Sequence, residues 1–238
     1  MRTTIVLAFT LSTAIMTSVA TDPTTPSLRA LHTSQKAPTS FPFALTIAPD
    51  TDLWLKPAPI NGPLTSKPLI TTNQPTFYTS VTLSKFVRAS VTVSFLPEIL
   101  YDQAGLALLF PRDPSKWIKG GLEWVDNQAK RSVVATTGHS KGADWSVSPP
   151  VAGASDAAAG RVRTVVEFER EEEGKGTSLL IKIGGELVRE ITWVFAAPGD
   201  PNEELWVGFY AARPAKPDVA GDFNVSVEKW DIVEKKRH

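Results

Sequence analysis

The sequence contains no cysteine, which excludes disulfide bonds, thiol catalysis and cysteine-ligated metal sites. Its 25 basic and 25 acidic residues cancel, so net charge gives no reason to expect a nucleic acid or an anionic membrane as partner. The three histidines, His32, His139 and His238, are too scattered along the chain to suggest a ligand cluster. No glycine-rich phosphate loop, metal-ligand spacing or cofactor motif is visible, so we predict neither a cofactor nor a metal site.

The chain also lacks convincing amphipathic helical stretches and has only two methionines. Seven tryptophans and eleven phenylalanines suit a rigid sheet core, and nineteen prolines with fifteen glycines indicate many turns. In the middle of the chain the apolar residues recur with period two, as where Ala89, Val91 and Val93 alternate with Ser90 and Thr92. About ten such segments predict an all-β protein, a two-sheet antiparallel β-sandwich.

Residues 1–20 have the features of a secretory signal peptide: a single arginine, an apolar run and a small-residue cleavage site at Ser18-Val19-Ala20. The apolar run is too short and too rich in serine and threonine for a membrane-spanning helix. We therefore expect a secreted protein. The alternatives are a mitochondrial transit peptide and a mis-assigned start codon, and the protein would be cytoplasmic if the leader is not functional.

The rest of the chain divides into a linker and one domain. Residues 21–40 are rich in threonine, proline and serine and predict a linker, which leaves residues 41–238 for the β-sandwich. The sequon at Asn224 would accept a glycan if the chain is secreted. Its position inside a predicted strand, not a loop, disfavours that modification.

The stretch from Tyr101 to Trp145 carries the candidate functional surface. One of its strands interleaves charged and apolar residues, so that Lys119, Gly121 and Glu123 point to the same side. A lysine and a glutamate that flank a glycine on one strand face form either the floor of a ligand site or a cross-strand charge network that only stabilises the sheet. The residues themselves leave both interpretations open.

Five segments resemble a known family in their order and spacing. They are Asp102-Gln103-Ala104-Gly105-Leu106, Trp117-x-Lys119-x-Gly121-x-Glu123, Ser132-Val133-Val134-x-Thr136, Asp144-Trp145-Ser146 and a closing strand from Phe223 to Trp230. The similarity is to the DUF1349 family, which is classed with the concanavalin A-like lectin/glucanase sandwiches and includes members labelled "regulation of enolase". It spans about residues 41–232 and implies a curved, two-sheet antiparallel jelly roll, but no established activity.

Glycosidase chemistry has a signature that this sequence lacks. Retaining enzymes hold two carboxylates about 5 Å apart, whereas Glu123 and Asp126 are three residues apart and face opposite sides of an extended strand. We therefore predict a non-catalytic, lectin-like domain that binds a carbohydrate or another polyhydroxylated ligand on its concave sheet face. A protein-interaction or regulatory domain is the alternative, and a glycoside hydrolase is disfavoured. The predicted ligand-binding residues are Gln103, Lys119, Glu123, Thr136, Trp145 and Tyr210.

Overall fold

The computed structural model describes residues 27–59, 67–138, 142–149, 155–156, 160–172, 174–196 and 199–235. Every regular element in these ranges is a β-strand, and none of their residues belongs to a helix long and apolar enough to span a membrane. The strands are β1 (Arg29–Leu31), β2 (Phe43–Ile47), β3 (Leu53–Lys56), β4 (Leu69–Thr72), β5 (Thr76–Thr82), β6 (Phe86–Phe95), β7 (Gln103–Leu109), β8 (Lys116–Val125), β9 (Gln128–Thr137), β10 (Asp144–Ser148), β11 (Ser155–Asp156), β12 (Arg161–Arg170), β13 (Leu179–Ile183), β14 (Glu186–Ile191), β15 (Glu204–Ala212) and β16 (Phe223–Glu234).

The strands form two large sheets and one small one, all of them antiparallel. The front sheet has the order β1-β5-β15-β7-β8-β9-β10, and the back sheet has the order β14-β13-β12-β6-β16-β2, with β11 paired to β12. Strands β3 and β4 form a separate two-stranded hairpin. The predicted all-β, two-sheet antiparallel sandwich is therefore confirmed.

The hydrophobic core lies between the two large sheets. Strand β6 is central to the back sheet, and its residues Ala89, Val91 and Val93 are buried in the core, as their alternation predicted. Ile118 and Leu122 meet the same core from β8 of the front sheet. Burying one such aliphatic side chain contributes roughly 1.5–3 kcal/mol, and a one-residue slip in register would expose the whole set.

The turn between β8 and β9 fixes the register on which the candidate site depends. Asp126 and Asn127 both have positive φ, at 52° and 57°, as the two central residues of a type I′ turn require. Because Val125 pairs with Gln128, the two strands are joined by a two-residue hairpin loop. Its register sets Lys119 opposite Val134 and Glu123 opposite Lys130.

A short strand lies in the stretch that was expected to be a linker. Strand β1 falls within the stretch 21–40 that was expected to be a linker, and Ala30 in it pairs with Phe77 of β5. Three residues are too few to show a period of two, so composition alone could not reveal this edge strand. The predicted signal peptide, His139 and His238 all lie outside the described residues.

Candidate functional site

The β3–β4 hairpin covers part of the front sheet on the face that is turned away from the core, which we call the outer face. Leu53 and Leu55 of the hairpin are buried against Trp117 and Val134 of the outer face, forming a second, smaller hydrophobic cluster. Beside this contact, the hairpin and strands β7 to β9 enclose a cavity of about 300 Å³. We call it the polar cavity, because its floor carries the charged residues of β8.

Lys119 is the central cation of the polar cavity and is only 2% exposed. Its Nζ atom donates to Asp52 Oδ1 at 2.6 Å and to Gln103 Oε1 at 2.8 Å. A buried ammonium needs such partners, because an unpaired charge away from water is very costly. The alternation along β8 therefore directs Lys119 outward, and a carboxylate from the start of the hairpin neutralises it.

Glu123 lines the same cavity, four residues along β8 from Lys119. Its Oε2 atom accepts hydrogen bonds from Ser132 Oγ at 2.5 Å and from Trp145 Nε1 at 3.0 Å. Burial raises the pKa of the Glu123 carboxyl, although these two hydrogen bonds and the charge of Lys119 oppose the rise. No described residue donates to its other oxygen, Oε1, which therefore keeps its capacity to accept.

Aromatic residues form the rim of the polar cavity. Trp54, Tyr101 and Trp145 all line it, and the rings of Tyr101 and Trp145 meet edge to face with centroids 6.1 Å apart. Tyr101 has a φ of 70°, a region that bulky residues rarely occupy and that is found disproportionately at ligand sites. Tyr101 and Trp145 are each 37% exposed, so their rings are accessible to a ligand from solvent.

Tyr210 lies under the polar cavity but does not line it. The side chain is buried, and the Lys119 Nζ atom lies 5.8 Å from the centre of its ring. Burial raises the pKa of the Tyr210 phenol well above its ordinary value, and the charges of Glu123 and Asp52 add to this. The phenol therefore stays protonated and remains a hydrogen-bond donor at neutral pH.

Thr136 does not belong to the polar cavity. It pairs with Trp117, six residues along β9 from the partner of Glu123, and its hydroxyl exchanges hydrogen bonds of 3.2 Å with the backbone of Gly138. It borders a different depression, between β9 and β14. Of the six predicted site residues, the structure thus places Gln103, Lys119, Glu123 and Trp145 around one cavity and Tyr210 beneath it.

Two glycines account for the spacing of the motif around Lys119 and Glu123. Gly105 and Gly121 face each other across β7 and β8, in a cross-strand row that runs from Tyr210 to Ser132. A Cβ atom on Gly121 would overlap the carbonyl oxygen of Ala104, and a Cβ atom on Gly105 would overlap the carbonyl oxygen of Gly120 on β8. Only glycine fits at either position, so the motif preserves a close approach of the two strands.

A buried ion pair supports one wall of the polar cavity. Asp102 is 0% exposed and Arg213 is 1% exposed, and the guanidinium donates to both carboxylate oxygens at 2.7 Å. The Arg213 backbone also exchanges hydrogen bonds of 3.1 Å with Thr51. Because Thr51 directly precedes Asp52, the pair holds in place the residue that neutralises Lys119.

Several residues of the polar cavity were not predicted from the sequence. They are Asp52, Trp54, Lys56 and Leu69 of the hairpin region, Tyr101, Val134 and Pro214. The hairpin residues precede the β8 motif by about fifty positions or more, and no local pattern links the two segments. Tyr101 could have been predicted from the sequence, because it directly precedes the Asp102-Gln103 pair of the first motif segment.

One further predicted residue, Asn224, lies elsewhere in the fold. Asn224 lies in β16, is exposed on the back sheet, and its Oδ1 atom accepts a 3.0 Å hydrogen bond from Thr46 Oγ1. Within the described ranges, no group of three or more histidine, aspartate or glutamate side chains has an arrangement that would hold a metal ion.

Three solved structures are among those similar to this chain. A functionally unknown protein from Saccharomyces cerevisiae is 23% identical, with a TM-score of 0.61 over 89% of this chain and 98% of that one. The catalytic domain of an endo-1,3-beta-glucanase from Thermotoga petrophila RKU-1 is 12% identical, with a TM-score of 0.46 over 78% of this chain and 77% of that one. A legume lectin-like domain from Entamoeba histolytica is 13% identical, with a TM-score of 0.45 over 81% and 90%.

No curated protein matches the chain. Residues 33–235 match the family described as "Protein of unknown function (DUF1349)". This range contains all five motif segments on which the resemblance was first noted, and both large sheets lie within it except for β1. The resemblance is therefore confirmed, and the chain belongs to the DUF1349 family.

Proposed function

We propose that the protein is a non-catalytic, lectin-like domain that binds a carbohydrate or another polyhydroxylated ligand in the polar cavity. The proposal rests chiefly on one observation: an accessible aromatic rim surrounds a floor with unused hydrogen-bonding capacity. Stacking on Trp145 or Tyr101 would accommodate the apolar face of a sugar ring. The free oxygen of Glu123 would accept a hydrogen bond from a sugar hydroxyl group. The hydroxyl groups of a sugar need several such partners once they are out of water.

The polar residues have distinct roles in this proposal. Lys119 has three protons, of which Asp52 and Gln103 accept two, so a third is available to a ligand oxygen. The carboxylate of Glu123 is held by Ser132 and Trp145, which presents its second oxygen in a fixed direction. Pre-positioned groups of this kind lower the entropy lost when a ligand binds.

The surroundings of Glu123 support a role in binding over a role in glycosidase catalysis. Asp126, the nearest carboxylate along the strand, lies in the exposed β8–β9 turn and forms an ion pair with Lys130. Asp52 is the second carboxylate that lines the polar cavity, and it is engaged by Lys119 and by the backbone N–H of Leu53. We therefore assign Asp52 to holding the lysine and Glu123 to contacting the ligand.

A glycan array tests this proposal with the full chain and two variants. Glu123→Gln keeps the size of the side chain and removes its charge, whereas Glu228→Gln makes the same change on the back sheet. We expect specific glycan signals that fall at least tenfold in Glu123→Gln, equivalent to about 1.4 kcal/mol, and are unchanged in Glu228→Gln. An array without specific signal, or equal losses in both variants, would refute the proposal.

A second candidate function, binding of a protein partner, is favoured by exposed apolar residues beside the polar cavity. Leu69 and Ile70 of the hairpin, and Leu100 next to Tyr101, present their side chains to solvent, and apolar surface of this kind is typical of protein contacts. A pull-down with the wild type and an Ile70→Ser/Leu100→Ser variant, whose substitutions leave the lining of the polar cavity unchanged, separates the two candidates. A partner lost only in this variant, combined with a blank glycan array, would favour the protein-binding function.

We also propose that the chain is secreted, on the basis of the leader-like composition of residues 1–20. Expression in a secreting host, followed by determination of the N-terminal residue of the exported protein, tests this. A new N-terminus close to residue 21 in the medium is the expected result. Retention of the intact chain inside the cell would contradict it and would favour the cytoplasmic alternative.

A further inference from the structure

A second cavity lies on the other side of the β3–β4 contact and differs in character from the polar cavity. It measures about 330 Å³, at the lower end of the range for small-molecule sites. Its walls are mainly apolar and include Leu31, Leu53, Leu109, Trp117 and Trp206. We call it the apolar cavity, and Leu53, packed on Trp117, separates it from its polar neighbour.

Gln74 gives the apolar cavity an unusual polar feature. Its side chain is 2% exposed and lines the cavity, and its Oε1 atom is buried without a hydrogen-bond partner. The amide nitrogen makes only a long contact of 3.4 Å to Thr76 Oγ1. A buried carbonyl that is left unpaired costs free energy, so a group that donates to this oxygen would be favourably bound.

The charges around the apolar cavity favour a neutral ligand. No carboxylate is among the described residues that line it, and its only permanent cation, Lys116, lies with Nζ 3.8 Å from the centre of the Phe110 ring. Partial desolvation of the ring lowers the pKa of His32, so its imidazole is neutral at physiological pH. A cationic ligand would lose its hydration in this cavity without gaining a counter-ion, and an anionic ligand would find only Lys116.

The shape of the cavity favours a flat apolar body. Trp206 is held rigidly, because its ring stacks on Tyr78 with centroids 4.4 Å apart and its Nε1 atom donates to Glu204 at 3.0 Å. His32 is exposed and Trp206 is half-buried, so the cavity reaches the surface at this side. A fixed indole ring at an opening offers a stacking surface to an aromatic ligand.

We propose that the apolar cavity is a second binding site, for a small neutral aromatic molecule whose single hydroxyl group donates to Gln74 Oε1. One hydroxyl matches the one unpaired acceptor, whereas a sugar would bring several hydroxyl groups to walls with few partners for them. The terminal torsion of glutamine is soft, so Gln74 can turn its covered oxygen toward the ligand at the expense of only the long contact to Thr76.

Isothermal titration calorimetry with two probes of nearly the same shape tests this site. 2-Naphthol carries the hydroxyl donor, and 2-methoxynaphthalene replaces it with a group that cannot donate. We expect the wild-type protein to bind 2-naphthol at least tenfold more tightly than the ether, and Gln74→Leu to bind both with similar affinity. Failure to bind 2-naphthol, equal binding of the two probes by the wild type, or a preference that survives in Gln74→Leu would overturn the proposal.

Two controls separate this result from other causes. Glu123→Gln changes the polar cavity and is expected to leave 2-naphthol binding unchanged, so the fate of the lectin-like function does not affect the outcome. Thermal unfolding of Gln74→Leu without ligand provides the second control. A rise in Tm is expected if the oxygen is unpaired, because leucine has no polar group to satisfy. A marked fall in Tm would mean that water already pairs this oxygen and would overturn the proposal.

Discussion

Replacing Asp102 by asparagine would test the role of the buried ion pair. The carboxylate accepts four hydrogen bonds, two from Arg213 at 2.7 Å and two from the backbone N–H groups of Glu98 and Ile99 at 3.0 Å. In Asp102→Asn the amide nitrogen faces donors on every side, and Arg213 keeps only the half-exposed carboxylate of Glu98 as an ionic partner. Removing one member of a buried pair typically costs about 3–5 kcal/mol, and we expect a loss of that size.

The assay is equilibrium unfolding in urea, with the free energy of unfolding compared at unchanged slope. Glu228→Gln is the matched control, because it breaks an exposed ion pair with Arg163, which is worth about 0–1 kcal/mol. A double variant, Asp102→Leu with Arg213→Met, removes both charges and should lose less stability than Asp102→Asn. If Asp102→Asn costs no more than Glu228→Gln, the reasoning that this pair holds the cavity wall is wrong.

Three other substitutions have expected outcomes. Gly121→Ala forces a Cβ atom onto the Ala104 carbonyl oxygen and should lower Tm by several degrees. Gly221→Ala places its Cβ atom in open space and should change Tm little. Thermal melts compare the two variants, and equal effects would contradict the steric argument. Leu55→Ala should cost about 2–5 kcal/mol and speed proteolysis of the β3–β4 hairpin, and unchanged digestion would argue against its packing role. Burial raises the pKa of Glu123 in the folded protein above its ordinary 4.5, so protonation of this carboxyl stabilises the folded state. This contribution to the free energy of unfolding is fully present below pH 4.5 and is lost as the pH rises through the raised pKa. The Tm of the wild type relative to Glu123→Gln should therefore fall with rising pH in that window, and a constant difference would contradict the pKa assignment.

The features that follow from a local period were predictable. Alternation along β6 and β8 identified the buried face, and it directed Lys119 and Glu123 to the opposite side. Period two is a property of the extended chain itself, so it needs no knowledge of distant segments. The alternation shows which residues share a sheet face, but it does not show which of them lie next to one another on that face. Thr136 shares the outer face, but six residues at about 3.3 Å each separate it along β9 from the partner of Glu123.

The partners of Lys119 and Asp102 could not be found from sequence patterns. Asp52 reaches Lys119 from a hairpin that pairs with neither large sheet, and no rule of strand order predicts where such a hairpin packs. Arg213 directly follows the apolar end of β15, where a charged residue normally marks a return to solvent. Its burial depends on Asp102 from another strand connection, which only the folded structure brings close.

The β3–β4 hairpin restricts what can lie across the front sheet. An uninterrupted sheet face would let an extended polymer run from one edge to the other. Here Leu53 and Leu55, anchored on Trp117 and Val134, form a barrier across that path, with the polar cavity on one side and the apolar cavity on the other. An occupant of the polar cavity that belongs to a longer molecule must therefore enter as a chain end or a short branch, with the remainder directed away from the barrier.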